Sequence, residues 1–380
     1  MSTSTSATSG ATVSTPVPAA RSRYDRLYSG DGAINFIGRS KLWYTIAAAL
    51  LAVSILAIVF RGFSLGIDFE GGTKLSMPAG DLVAEQVEST FSEATGVDPE
   101  LTQVVGAGDS RVLEINSQHL SQEQIDAARQ AIYEKYRPVN SEGQATADAI
   151  GDSTVSESWG STITNRMILA MAAFLVAATS YVALRLEREM AIAAMVALLV
   201  DGVLILGTYA LFGLEVTPAM VIGLLTVLTF SIYDTVIVFD KVKENTAGVL
   251  GSRRSTYAEE ANRAVNQTVM RSISTTVISA LPIIALLVVA VWLMGVGALR
   301  DLALIQLIGV IEGVFSSLFL ATPLLVTLIN RRKAHRDHNA AVEAYRSGAS
   351  DDAPSDTSEV KRTVAAPSVT TTASWRPTSR

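Results

Sequence analysis

Residues 42–60 read LWYTIAAALLAVSILAIVF, nineteen positions without a charge, closed on either side by Lys41 and Arg61. At about 1.5 Å per residue this run nearly covers the ~30 Å hydrocarbon core of a bilayer. Moving along the chain, a gap of about a hundred residues separates it from five more candidates, at 167–184, 190–212, 217–239, 273–294 and 302–329. The sequence therefore predicts a membrane α-helical bundle of six transmembrane helices. Composition agrees: 49% of the 380 residues are hydrophobic and 17% charged, with a mean hydropathy of +0.34. Several function classes drop out. A net charge of −6 offers no basic surplus for nucleic acid. The absence of cysteine excludes thiol chemistry and thiolate-bound metal, and His119, His335 and His338 are too few and too scattered for a histidine metal site. No Walker-type Gly-x-x-x-x-Gly-Lys-[Ser/Thr] loop is present, so ATP hydrolysis by the chain itself is not expected; the reading is of a protein without enzyme chemistry and without a cofactor.

Basic residues retained in short connections give the orientation. Arg21, Arg23, Arg26, Arg39 and Lys41 precede the first span, Arg185 and Arg188 lie between the second and third, Lys241, Lys243, Arg253, Arg254, Arg263 and Arg271 between the fourth and fifth, and Arg331, Arg332 and Lys333 follow the sixth. Both termini are thus expected on the cytoplasmic side of the cell membrane. The long insertion at 61–165 carries six basic and seventeen acidic residues, leaving the rest of the chain about +5. The expected plan is a disordered cytoplasmic tail at 1–41, a span at 42–60, an extracytoplasmic α+β domain at 61–165, five spans within 166–330 and a disordered cytoplasmic tail at 331–380. Residues 1–20, all Ser, Thr, Ala, Val, Gly and Pro after Met1, have the composition of a disordered segment rather than of a signal peptide.

The insertion reads as folded. Leu75 and Met77 alternate as in a strand; Asp81 is placed to cap a helix whose Val83, Val87 and Phe91 share a face and which Gly96 ends. Leu101–Val105 and Arg111–Asn116 read as a hairpin around Gly106 to Asp109. Ser121 and Gln124 have capping-box spacing at the start of a second helix with Ile125, Ala128, Ile132 and Tyr136 on one face. Strand, helix, strand, strand, helix suits half or more of a ferredoxin-like sandwich. Residues 138–158 read either as a linker or as a last strand.

Three carboxylates, Asp201, Asp234 and Glu312, stand inside apolar spans, where an ionised group costs at least ~2.5 kcal/mol. Asp201 and Glu312 fall at middle depth, and Asp234 about 9 Å from the cytoplasmic end of the fourth span. Arg271 begins the fifth span, with Thr275 and Ser279 on its face. Consecutive helices usually pack together, so Arg271 is expected within reach of Asp234. Desolvation favours a neutral carboxyl and a nearby guanidinium an ionised one, so helix movement would load or release a proton. Each charge crossing the membrane potential yields ~2.3 kcal/mol per 100 mV. The plainer alternatives are that Asp201 and Glu312 bond to neighbouring or partner helices and that Arg271 snorkels to the headgroups. Pro218 suits the first turn of the fourth span, and Pro282 is expected to kink the fifth.

Other motifs say less by physics alone: the adjacent Gly71 and Gly72 let the backbone turn sharply or be approached closely, or mark a simple turn from helix to strand. Gly66-Ile-Asp-Phe-Glu-Gly-Gly-Thr73 follows the first span, Trp159-Gly160 precedes the second, and Tyr233-Asp-Thr-Val-Ile-Val-Phe-Asp-Lys-Val-Lys-Glu-Asn245 closes the fourth. Val265-Asn-Gln-Thr-Val-Met-Arg271 enters the fifth, and Leu299-Arg-Asp-Leu-Ala303, Ser316-Ser317 and Ala321-Thr-Pro323 occupy the sixth. Over roughly 35–330 these residues resemble the SecF family, partners of SecD in bacterial protein export and a branch of the RND superfamily; the Ala-rich spans and Ser/Thr/Pro-rich tails look actinobacterial. The resemblance implies half of a pseudo-symmetric twelve-helix unit formed with SecD beside the SecYEG channel. That unit would use the proton motive force to complete preprotein translocation after the ATPase SecA, with YidC-type and YajC-type proteins as further partners and membrane lipid around it. It implies proton-coupling roles for Asp234 and Arg271. It places Asp201 on the aspartate of a His-Asp pair whose histidine is here Val200, Thr229 where a glycine is usual, and Glu312 where a small residue is usual. Gly66, Asp68, Gly71, Gly72, Thr73 and Asp240 are its family-motif positions. Two other readings compete: a self-sufficient RND-type exporter of small molecules or lipids, of which a single six-span set is half the duplicated plan, and a passive membrane scaffold.

Overall fold

The computed structural model describes residues 34–106, 108–140, 143–289 and 297–348. Among them, six helices are long and apolar enough to cross a membrane. The first three are Ser40–Arg61, Glu157–Arg185 and Arg188–Phe212 (spans 1 to 3). Pro218–Thr246 and Tyr257–Leu286 form spans 4 and 5. Span 6 is the helix Gly297–Ser316, a π-helical turn Ser317–Ala321 and the helix Thr322–Asn330. Several helices outrun their apolar cores because polar caps continue them. Ser156 accepts from the Trp159 N–H at 3.4 Å to start span 2, and Thr256 with Glu259 forms a capping box far ahead of the apolar part of span 5. Pro218 occupies the first turn of span 4, as its missing N–H favours. Pro282 lies within a helix that continues past it to Leu286.

The spans pack through small residues, which let backbones approach. An added Cβ at Gly207 of span 3 would meet Ser54 of span 1 at 2.1 Å; at Gly223 of span 4 it would meet Ile305 of span 6, and at Gly309 of span 6, Val227 of span 4. Span 4 lies at the centre, packed on spans 3, 5 and 6.

Between spans 1 and 2 the chain builds a four-stranded antiparallel sheet: β2 (Gly72–Pro78), β3 (Leu101–Val105), β4 (Val112–Ser117) and β5 (Gly151–Val155), in the order β3-β4-β2-β5. Leu75 faces Ile115 and Met77 faces Leu113 across the β2–β4 ladder. The helices Ala84–Thr95 and Gln122–Tyr136 cover these side chains with Val87, Phe91, Ile125, Ala128 and Ile132. The capping box of Ser121 and Gln124 is formed, and Gly96 ends the first helix in the left-handed conformation. Asp81 does not cap: the N-cap is Val83, two residues later, without a side-chain cap. The last strand is β5, antiparallel to β2. As an edge strand of Gly, Asp, Ser and Thr with mostly exposed side chains, it carries no apolar alternation to read.

A second, two-stranded sheet pairs β1 (Ser64–Leu65) in parallel with β6 (Glu215–Val216), tying the exit of span 1 to the entry of span 4.

The segments flanking the bundle differ from the expected tails. Asn262 and Asn266 of span 5 hold the chain at 34–37: Asn262 Oδ1 accepts from the Phe36 N–H at 2.8 Å, Asn266 Oδ1 from the Ile34 N–H at 3.0 Å, and Phe36 is fully buried. Lys333–Arg346 is a helix, not an irregular tail. It buries Val342, and Arg346 pairs with Glu259 at 2.8 Å. A charged sequence hides such a helix because its apolar face is one residue wide. The expected tails at 1–33 and 349–380, and the end of the fifth apolar run at 290–294, lie outside the described residues.

Candidate functional site

Asp234 lies on the inner face of span 4, 5% exposed. Both oxygens accept hydroxyl hydrogen bonds from other spans: Ser272 Oγ of span 5 donates to Oδ1 at 2.8 Å, and Ser317 Oγ of span 6 donates to Oδ2. Ser317 opens the π-helical turn, a feature that widens a helix by one residue and often marks functional positions. Arg271 precedes Ser272 and lies on the exposed side of span 5, forming no ion pair among the described residues. The expected Asp234–Arg271 contact is thus replaced here by a seryl contact from the adjacent residue, because consecutive helical side chains diverge by about 100°. Thr275 and Ser279 do not reach the carboxylate; Thr275 bonds back to the Arg271 carbonyl.

Asp201 is 1% exposed and accepts from Ser231 Oγ of span 4 at 2.5 Å. Ser231 lies one turn before Asp234. The structure therefore joins the two aspartates through span 4, which sequence spacing did not reveal. Glu312 of span 6 lines a small cavity together with Asp201. Ser231 and Ser272 were missed by sequence reasoning, since serines in membrane helices commonly bond to their own backbone; Ser317 entered only as part of the motif pair Ser316-Ser317, with no role assigned to it.

The glycine motif does different work. Gly66 N–H donates to the Val216 carbonyl at 2.9 Å, continuing the β1–β6 pairing. Gly71 (φ +82°) lies where a Cβ would stand 2.9 Å from the Glu157 nitrogen; at Gly72 (φ +146°) a Cβ would meet the Ser117 carbonyl at 2.5 Å. Gly160 closes the same contact from span 2, where an added Cβ would stand 2.5 Å from the Phe69 carbonyl oxygen. Thr73 is fully buried, and its Oγ1 accepts from the Leu120 N–H at 3.0 Å. Together they seat the sheet on the membrane bundle.

Asp68 lines a polar crevice of about 300 Å³ between sheet and bundle, with Lys74, Glu114, Glu215, Arg300 and Asp301. Arg300 of span 6 donates to Gln103 of β3 at 2.9 Å, and Asn116 of β4 to Glu215 at 3.1 Å. Burial pushes the Glu215 carboxyl above the usual carboxylate range, with Lys74 opposing the shift. At the other end of the bundle, Asp240 pairs with Arg185 at 2.9 Å, a bond between the ends of spans 2 and 4. Both partners are substantially exposed, so this pair is worth at most about 1 kcal/mol.

The motif Gly66–Thr73 lies inside residues 56–80, which match the SecD/SecF GG motif, and residues 136–331 match Protein export membrane protein SecD/SecF, C-terminal. The chain belongs to the SecD/SecF family. The protein translocase subunit SecF of Mycobacterium tuberculosis is 51% identical over 325 residues, 86% of this chain and 74% of that one. SecF of Streptomyces coelicolor is 37% identical over 304 residues, covering 80% and 79%. The crystal structure of SecDF from Thermus thermophilus, described as a translocon-associated membrane protein, superposes with a TM-score of 0.67 at 26% identity. It spans 78% of this chain, which in turn covers 39% of SecDF. A SecDF in its super-membrane-facing form gives 0.56 at 28% identity, covering 80% of this chain. As a SecF-type member the chain is a multi-pass accessory subunit of Sec protein export.

Proposed function

We propose that this SecF-type chain works with SecD, in the cytoplasmic membrane and with both termini cytoplasmic, to draw on the proton motive force during late preprotein translocation. The observation that carries the reading is Asp234: a buried carboxyl held by hydroxyls from two other helices. Hydroxyls both donate and accept, so they serve an ionised and a neutral carboxyl alike. A carboxyl that is to change protonation during a cycle needs such partners, whereas a fixed ion pair would keep it charged. Arg271, one residue from the Ser272 contact, is the group whose approach would drive proton release. Asp201 and Glu312 form a second acidic centre beside it.

The α+β unit, with its βαββαβ order, is read as a ferredoxin-like domain on the far side of the membrane, spanning about 61–165 between the first span and the five of 166–330. Through the Arg300–Gln103 bond it would follow movements of span 6. In this reading the six spans are one RND-type half and SecD supplies the other, fused to it in the SecDF relatives. SecYEG, with SecA acting before it, and YidC-type and YajC-type proteins are the expected neighbours. Proton flux and preprotein translocation in membrane vesicles holding the complete complex test the proposal: both should collapse in Asp234→Asn, and undiminished flux and export in that variant would return the chain to the role of a scaffold.

A further inference from the structure

A small cavity of about 20 Å³ lies between spans 1, 3 and 6, beside the Asp234 centre but separate from it. Four of the side chains lining it are Trp43, Asp201, Glu312 and Ser316. Each has a buried polar atom without a hydrogen-bond partner: Trp43 Nε1, Asp201 Oδ1, Glu312 Oε1 and Ser316 Oγ. Asp201 and Ser316 are 1% and 4% exposed. Ser316 stands close to the Asp201 carboxylate without the geometry of a hydrogen bond.

Buried polar groups in native proteins are almost always satisfied, and four orphans around one cavity call for a common partner. Size and chemistry restrict what it is. A volume of about 10–15 Å³ admits one water molecule and little else. The indole N–H is purely a donor, the hydroxyl donates or accepts, and an ionised carboxylate only accepts. One water, with two hydrogens and two lone pairs, complements two acceptors and two donors. A metal cation fits less well, because the indole N–H would face it with the wrong sign. No other charged group lines the cavity; the rest of the wall is apolar, including Ala47 and Leu50 of span 1, Leu204 of span 3 and Phe315 of span 6. Ser231 of span 4 already donates to the other oxygen of Asp201. Two ionised carboxylates facing each other across so dry a space would repel strongly, with no cation to offset them.

We propose that this cavity binds a single water molecule and that Asp201 and Glu312 hold one proton between them through it. The pair then carries one negative charge: one carboxyl is neutral and, with the Trp43 indole N–H, donates to the water, which donates to the ionised partner and to Ser316 Oγ. The site adjoins the first centre on two sides, since Ser231 and Asp234 are one turn apart on span 4 and Ser316 precedes Ser317 on span 6. This deepens the reading of Asp201 and Glu312 as proton-handling groups and rests on it only for their use in transport.

Infrared spectroscopy on the full chain in lipid nanodiscs at neutral pH tests it. A neutral-carboxyl band should be present, should vanish in Asp201→Asn and equally in Glu312→Gln, and should persist in Asp234→Asn. A band that survives Glu312→Gln assigns the proton to Asp201 alone and overturns the proposal. Ser316→Ala keeps both carboxyls, so it should shift the band without removing it; an unmoved band would eliminate the bridging water. Loss of the band on adding sodium chloride would mark a cation site and overturn the proposal. Asp234→Asn abolishing export while leaving this band intact keeps the two proposals separable.

Discussion

Ser272 Oγ donates to Asp234 Oδ1 at 2.8 Å, while Arg271, its neighbour in span 5, lies on the exposed side of the same helix. A turn of span 5 about its axis of about 100° exchanges the two. Such a turn would bring the guanidinium to the acid of span 4 in place of the hydroxyl that it meets here.

If Asp234 is the coupling group, its hydroxyl partners tune it. A hydrogen bond to a charged group is worth about 1.5–3 kcal/mol, and 1.4 kcal/mol is a factor of ten. Ser317→Ala should therefore lower proton flux in vesicles by about tenfold, Ser272→Ala by a similar factor, and Asp234→Asn should abolish it. Normal flux in the double serine variant would show that the hydroxyls are structural only.

The seat of the sheet depends on Gly160. A methyl group there meets the Phe69 carbonyl at 2.5 Å, backbone that has no rotamer by which to move away. Gly160→Ala should destabilise by about 1–3 kcal/mol, the usual range for overpacking. Thermal unfolding of the purified protein reads this as a lower Tm, whereas Gly202→Ala, where an added Cβ meets nothing within 4 Å, should leave it near the original value.

Arg300 and Gln103 connect span 6 to the sheet at 2.9 Å. A double-mutant cycle of Arg300→Ala and Gln103→Ala should give a coupling energy near 1 kcal/mol in unfolding. Export should fall in either single variant while the sheet stays folded by circular dichroism. Additive effects would mean that the bond does not join the two parts.

The C-terminal helix is expected to be sensitive to acid. His335 lies edge-on to Tyr257 with ring centroids 5.3 Å apart, and burial, followed by the nearby Arg332 and His338, holds its pKa below the ordinary value. The folded value thus lies below the unfolded one of about 6.5. The neutral ring's contribution is complete above that unfolded value and is lost as pH falls through the folded one. Hydrogen exchange across 333–346 should speed up on mild acidification, and His335→Gln should flatten the dependence.

Much of the plan was legible in the residues. The six apolar runs announce helices because a bilayer leaves the backbone few other ways to satisfy its hydrogen bonds. Leu75 and Met77, or Ile125, Ala128 and Ile132, announce a strand and a helix by their period. Three carboxylates in apolar runs stand out because their cost demands a reason. Other features left no mark: β5 has no apolar face, Asp81 fits a cap that the chain does not use, and the helix at 333–346 looks like tail.

What the sequence determined by itself is therefore local and periodic: how many spans, where the sheet and its helices fall, and which side chains are out of place in an apolar run. Only the tertiary structure decided what those side chains meet. Ser272 rather than Arg271 reaches Asp234, Ser231 links Asp201 to the same helix, and Gly71 and Gly160 come together from segments ninety residues apart in the chain. The physical reason is rotational: a shift of one residue turns a helical side chain through about 100°, and only the packing of neighbouring helices fixes which residue faces inward.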